Sequence, residues 1–281
     1  MSVTIVHNNY GKSRVRLMKV ARSGERHSIQ ETTLKIAFEG DFEKIHTVGD
    51  NSLCLPTDTM KNTVYALATQ TSEIEEIEVF AVRLASHFLA NCSQVTQVTI
   101  EIAEHGWTRL DNGEPHPHSF IKGSNEQRTA KITATRKSMI IESGILDLVV
   151  LKTTKSGFVG FIKDQYTTLP EATDRILATS IKANWKYSEN IDIAISEVCR
   201  GVRQTIIETF SEHDSLSVQH TLYAMGKTVL ENFPGIAEIS FSLPNIHYLP
   251  VDVSRFGLEN DNRIFLPTDE PHGLIEARLT R

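Results

Sequence analysis

Between Arg14 and Gly40 the apolar side chains keep a period close to two. In RVRLMKV (14–20), Val15, Leu17 and Met18 fall among cations, and in TTLKIAFEG (32–40), Leu34, Ile36 and Phe38 alternate with polar neighbours. Both read as strands. ARSGERHS between them reads as a hairpin loop with Gly24 as its flexible point. The period then lengthens: Ile77, Phe80, Leu84 and Phe88 recur at spacings of three and four, a helix, with Ser72 and Glu75 in a capping-box pattern ahead of it. QVTQVTIEIAEH (94–105) and RTAKITATR (128–136) return to strand character, separated by LDNGEPHPHSFIKGSNEQ, a loop by its Pro, Gly and Asn content.

The second half repeats this order. LDLVVLKT (146–153) and GFVGFIKD (157–164) read as strands around the turn TKSG. LPEATDRILATS (169–180) reads as a short helix with Pro170 in its first turn, and SIKANWKYS (180–188) as a strand. Helices are expected near 192–210 and 216–232, the second with Val218, Leu222, Met225 and Val229 on one face. IAEISFSL (236–243) and the terminal GLIEARLTR read as strands, the last at a sheet edge. Two tandem units, 1–140 and 141–281, each an antiparallel sheet with helices on one face, predict an α+β protein. Sheets with apolar residues on their uncovered faces would need another sheet or subunit, so an oligomer is expected.

Composition narrows the function without specifying it. Hydrophobic residues make up 40% of the 281 positions, charged residues 23%, and the net charge is −6. The cations are scattered, which argues against a nucleic-acid or anionic-membrane partner; Arg14, Arg16, Lys19 and Arg22 read as a solvated strand edge. No apolar run is long enough to span a membrane, and the N-terminus lacks signal-peptide character. Cys54, Cys92 and Cys199 are widely spaced, which suits small core residues in a reducing, cytoplasmic setting.

Nucleotide-loop, zinc-protease and esterase motifs are missing. His116 and His118 in PHPHSF could share an ion, but a proline-stiffened loop with two polar side chains explains them as well, and no metal site is assigned. Five polar spots remain at element ends: Lys12 after NNYG, Thr57–Asp58 in LPTDTMKNTVYALA, Arg175 in TDRIL, Val218–Gln219 in LSVQHTLY, and Asn245 with His247 in LPNIHY. Singly, each has an ordinary explanation as a cap, a turn or a solvated charge.

Taken together, YGK, TDTMKNTVYA, GFVGFIKDQYTTLPEATDRILAT, SVQHTLYAMG and SLPNIHYLPVD occur in this order over nearly the whole chain, which resembles the urate oxidases. The resemblance implies the tunnelling fold, with four subunits closing their sheets around a tunnel and active sites between subunits. It implies oxidation of urate by molecular oxygen to 5-hydroxyisourate and hydrogen peroxide, with no cofactor. Arg175 would grip the anionic purine, Gln219 and the Val218 N–H would bond its opposite edge, and Phe158 would stack on its plane. Asp58 would act through its backbone N–H, at a turn. Lys12, Thr57 and His247 would form a proton relay, and Asn245 would hold the oxygen position above the ring. Ile246 stands where the family pattern suggests a lysine, and it points away from the ligand on an alternating strand. The C-terminal RLTR is not a peroxisomal address. Two other readings compete: a zinc-dependent tunnelling-fold enzyme acting on a pterin, and a non-enzymatic purine-binding oligomer.

Overall fold

The computed structural model describes residues 3–188, 194–268 and 270–281. Strand alternation becomes pairing at once: β1 (Tyr10–Ser23) and β2 (Arg26–Gly40) are antiparallel neighbours. Only Gly24 and Glu25 lie between them, so the turn is tighter than ARSGERHS suggests, and Gly24 takes the left-handed φ of +60°. After a short helix α1 (Glu43–Thr47) come α2 (Thr57–Thr69) and α3 (Ile77–Asn91), then a second hairpin of β3 (Val95–Asp111) and β4 (Pro115–Thr135). The chain continues as β5 (Met139–Lys152), β6 (Leu177–Tyr187), α4 (Ile195–Glu212), α5 (Val218–Asn232), β7 (Ile236–Pro250), β8 (Phe265–Thr268) and β9 (Leu274–Thr280). Two compact units result, Met1–Gly144 and Ile145–Arg281, and the chain passes from one to the other within β5.

In the first unit the antiparallel order is β1-β2-β3-β4. Met60, Val64 and Leu67 of α2 and Ile77, Phe80, Leu84 and Phe88 of α3 share one core with Leu34, Ile36, Phe38, Val98, Ile100 and Ile132 from the strands. Each large side chain so buried contributes about 1.5–3 kcal/mol relative to leaving it in water. The opposite face is polar, contrary to the expectation of apolar residues there. Lys35, Glu101 and Lys131 lie in register across β2, β3 and β4, with Lys35 Nζ 3.0 Å from the Glu101 carboxylate. Opposite charges placed across neighbouring strands stabilise a face that meets water.

The second unit follows the order β5-β6-β7, with β9 and β8 also pairing on β7. Cys199, Val202, Ile206 and Phe210 of α4 are buried, as are Val218, Leu222, Met225 and Val229 of α5, the face expected from their spacing. Residues 192 and 193, where α4 was expected to begin, lie outside the described residues. On β5, Val149 and Leu151 are apolar and exposed.

Further expectations are corrected. Ser72 and Glu75 do not cap α3, whose N-cap is Glu76 with no side-chain cap bond; Glu75 instead pairs with Arg83 at 2.5 Å. The stretch 110–127 is mostly strand, because cross-strand pairs replace the expected loop: Lys122 lies over the Trp107 ring and Arg109 over Phe120. The prolines sit where a ladder tolerates them, Pro115 as the first residue of β4. Residues 157–164 form no strand and 169–180 no helix; the chain is irregular between β5 and β6 as far as Ile176, and Leu177 begins β6. Among the cysteines, Cys92 and Cys199 are core residues, but Cys54 is half-buried.

The extended hairpins are tied at Glu31, which is 8% exposed. Its carboxylate accepts from Lys122 Nζ at 2.9 Å, from Trp107 Nε1 at 2.8 Å and from Arg16. Lys122, then Trp107, then Arg16 hold its pKa down from 4.5 to about 2 against the opposing effect of burial. A carboxyl depressed on folding lends stability above its unfolded pKa and loses it as the pH falls toward the folded value. We expect denaturant midpoints to fall between pH 4.5 and 2 with a steeper slope in the wild type than in Glu31→Gln. Equal slopes would show that this cluster does not link folding to protons.

Candidate active site

In the first unit the local fold starts from Gly11. A Cβ there would lie 1.8 Å from the Ile36 carbonyl oxygen, so only glycine permits β1 to approach β2 this closely. Between Lys12 and Val15 the register slips, with Arg14 at φ +57°, a bulge. Before the slip Lys12 pairs with Ile36, and after it Val15 pairs with Leu34, both core residues. Cross-strand partners share a face, so Lys12 emerges on the helix-covered side of the sheet. Tyr10, two residues earlier, packs edge-on to Phe38 and Phe42, and its hydroxyl accepts the Leu55 N–H at 2.9 Å. Burial, then the neighbouring Cys54, pushes the Tyr10 phenol up to about 12, so it stays a neutral hydrogen-bonding post.

That bond ties the segment entering α2 to β1. The LPTDTM stretch does not make the turn expected at Asp58; it starts a helix at Thr57 with Pro56 as N-cap and no side-chain cap. The first N–H groups of any helix lack intrahelical acceptors. The Asp58 carboxylate turns along its own helix, to Lys61 at 2.5 Å and Asn62 at 2.8 Å. These bonds, with a contribution from the field of Lys12, hold its pKa below the usual carboxylate range. Lys12 and the α2 N-terminus are therefore electrostatic neighbours, and Thr57 is half-buried at the first helical position.

In the second unit the connection between β5 and β6 is held by backbone bonds. Phe158 and Ala172 exchange bonds of 2.7 and 3.1 Å, and the Arg175 N–H donates to Ser156 O at 2.7 Å. Ser215 completes the clamp: its N–H donates to Lys155 O at 2.9 Å and its carbonyl accepts the Gly157 N–H at 2.8 Å. The Asp174 carboxylate accepts from Thr154 Oγ1 at 2.7 Å and the Ser156 N–H at 3.3 Å, which lowers its pKa. Asp174 thus serves the loop and leaves its neighbour's guanidinium alone.

Arg175 lies with its guanidinium 5.3 Å from the Phe158 ring centre, and Phe158 stacks on Phe161 at 4.8 Å. Its Nε is buried without a hydrogen-bond partner, and desolvation lowers its pKa while the charge is retained. Two residues past Ser215, Ser217 caps α5 by accepting the His220 N–H at 3.1 Å. Val218 and Gln219 begin that helix, Val218 buried and Gln219 exposed. Asn245 pairs with Thr179 and His247 with Thr268 along β7, both half-buried. Among the described residues the side chains of Lys12, Thr57, Gln219, Asn245 and His247 make no intramolecular hydrogen bond, in contrast to Asp58.

The structure thus brings Lys12 near the Thr57–Asp58 start of α2 in one unit; in the other it joins Phe158 to Arg175 and ties their loop, through Ser215, to the segment that leads into Val218 and Gln219. Sequence reasoning passed over Tyr10, Gly11, Ser215 and Phe161. The Tyr-Gly-Lys tripeptide carried a signal for the first two; nothing local marks Ser215. His116 and His118 stack edge-on at 4.7 Å near His27, and among the described residues no group of three ligating side chains forms a metal cluster.

Tandem units, each an antiparallel sheet with helices on one face, define a tunnelling-fold protein. The uricase family model matches residues 8–133 and 141–276. A uricase of Arthrobacter globiformis is 42% identical over 279 residues, covering 99% of this chain and 90% of that protein, and one of Oryctolagus cuniculus is 40% identical over 286 residues, covering 99% and 95%. The crystal structure of the Arthrobacter globiformis uricase is similar with a TM-score of 0.95, 42% identity and coverage of 100% of this chain and 96% of that one. A urate oxidase structure from Bacillus sp. TB-90 reaches 0.83 at 26% identity, covering 98% of this chain and 100% of that one. The chain belongs to the uricase family.

The steric argument at Gly11 yields a direct check. Gly11→Ala forces a backbone contact open beside Lys12, and we expect it to destabilise the first unit by about 1–3 kcal/mol and to impair turnover. An unchanged unfolding midpoint with full activity would show that β1 can move away freely.

Proposed function

We propose that the chain oxidises urate with molecular oxygen and water to 5-hydroxyisourate and hydrogen peroxide, with no cofactor. The observation that carries this reading is Arg175: a charged, partly buried guanidinium seated by an aromatic ring, with a buried Nε unpaired and the adjacent carboxylate engaged elsewhere. A planar fork beside an aromatic plate suits a flat anionic heterocycle. Uricase relatives matching nearly the whole chain select urate among such ligands.

In this reading Arg175 bonds one edge of urate and Phe158 stacks on its plane. The Val218 N–H and the Gln219 amide, a donor and an acceptor together, bond the other edge and reject purines with a different tautomer. Lys12, Thr57 and Asp58 complete the site from a neighbouring subunit of a homotetramer, and Asn245 and His247 line it as well. Support for such sharing comes from exposed apolar residues on the same loop as Phe158, Ile162 at 95% and Tyr166 at 80% exposure, which suit burial against another copy.

The chemistry is proton handling and positioning. Withdrawing a second proton from urate makes the ring electron-rich enough to pass electrons directly to oxygen. Lys12, Thr57 and His247 act as the relay: the lysine favours loss of the threonine proton, and the hydroxyl passes protons between urate and the water that later attacks the oxidised ring. Thr57 and Asp58 N–H groups at the α2 N-terminus favour the anion, and Asn245 holds oxygen and then water above the ring. Among the described residues no helix is long and apolar enough to cross a membrane; we place the enzyme in the cytoplasm.

The test is the absorbance of urate in air-saturated, metal-chelated buffer with a peroxide assay: the band should decay as peroxide accumulates. A persistent band would overturn the reading. Arg175→Ala should lower kcat/KM by about a hundredfold, the loss expected for two charge-assisted bonds; normal kinetics would remove it from the site. Because Lys12 and Thr57 act as one unit, the double alanine variant should be scarcely slower than either single one, whereas multiplying losses would separate them.

A further inference from the structure

Ser215 is fully buried, with 0% exposure, and Thr221 is 2% exposed. Their hydroxyls belong to one directed chain. Ser215 Oγ donates to the Ser217 carbonyl at 3.0 Å. It has a single proton, so it must accept from Thr221 Oγ1, 2.7 Å away. Thr221 has then spent its own proton and accepts from His213, whose Nδ1 lies at 3.2 Å. The chain runs from the His213 Nδ1–H through Thr221 and Ser215 to Ser217, the residue that caps α5. His213 carries a proton on Nδ1 in this arrangement whether or not the ring is charged, so the chain survives titration of the imidazole. Burial, and then the His220 ring and Lys152, lower the His213 pKa, which favours the neutral ring.

The same Ser215 backbone bonds Lys155 and Gly157 on either side of Ser156, the residue whose carbonyl holds the Arg175 N–H. One buried residue therefore touches both halves of the anion grip. Its main chain fixes the Phe158–Arg175 loop, and its side chain fixes the first turn of α5, where Val218 and Gln219 stand. We propose that Ser215 is a positioning residue for substrate recognition: its hydroxyl, locked between Thr221 and Ser217, sets the spacing between the Arg175 fork and the Val218–Gln219 edge to the width of one purine. Ser215 need not touch the substrate. It acts through the two elements it joins, and Thr221 acts through Ser215. This rests on the urate reading above.

The experiment is equilibrium binding of urate in oxygen-free buffer, where the substrate binds without being consumed. Ser215→Ala keeps the backbone bonds and removes the clip; we expect its Kd to rise about tenfold, as for a small misplacement of binding groups, in addition to the drop in thermal midpoint that the unpaired Thr221 hydroxyl brings. Thr221→Val should weaken binding in the same way and Thr221→Ser should restore it, which keeps the test available where Ser215→Ala folds poorly. Paired with Arg175→Lys, Ser215→Ala should add less than its effect in the wild type, because both changes disturb one grip. Unchanged Kd in Ser215→Ala and Thr221→Val, whatever the midpoint does, would overturn the proposal and leave Ser215 a structural residue. Failure of the wild type itself to bind urate would overturn the substrate reading and, with it, this one.

Discussion

An irregular segment can hold a charged group beside an aromatic ring only if its backbone N–H and C=O groups find partners. The connection from Thr153 to Ile176 has neither strand nor helix to supply them, so partners come from within the segment and from Ser215: Phe158 with Ala172, Arg175 with Ser156, Lys155 and Gly157 with Ser215. Remove that pairing and Arg175 would sit on a flexible tether, able to bind an anion but not to choose one by shape. The guanidinium is partly desolvated without a counter-ion of its own, since the nearby carboxylate is already engaged by Thr154 and Ser156. Bonds from its own free edges are left for a ligand.

The two helix N-termini serve the proposed site in different ways. At α5, Ser217 satisfies the His220 N–H, so the capping hydroxyl spends itself on the third helical residue and the N–H groups of Val218 and Gln219 remain at the start of the helix. At α2 no side chain caps the end, and the acidic residue of the first turn looks along the helix toward Lys61 and Asn62. In both places a positive backbone terminus meets a neighbouring side chain that has no fixed intramolecular partner: Thr57 in one unit, Gln219 in the other.

Long amphipathic periods were legible in the sequence: α3, α5, β2 and the first half of β7 appear where their apolar positions place them. The helix α2 was not read, though Met60, Val64 and Leu67 carry its period, because Thr57, Thr59, Thr63 and Val64 have the β-branched shape of strand residues. Here burial overrode propensity. At 110–127 composition misled: prolines and glycines suggested a loop, while the tie at Glu31 and the pairs Trp107–Lys122 and Arg109–Phe120 extend the hairpin. At 157–180 the pattern suggested a strand and a helix, but the backbone is committed to contacts distant in sequence, above all with Ser215, which no local period can announce. The candidate residues were found because they gather at element ends; their supports, Tyr10, Gly11 and Ser215, were not, because each works through one specific contact.

The bulge between Lys12 and Val15 also sets a rule about chain length. Before it, even-numbered residues of β1 face the helices; beyond it, odd-numbered ones do. Deleting one residue at Ser13 or Arg14 would act on the sheet as a reading-frame shift acts on a message. Everything upstream or downstream would be turned over, exposing Val15 and Leu17 or swinging Lys12 out to the other face. Substitutions along this strand can drift one at a time, but its spacing cannot, and one extra residue keeps the lysine and the core on the same side.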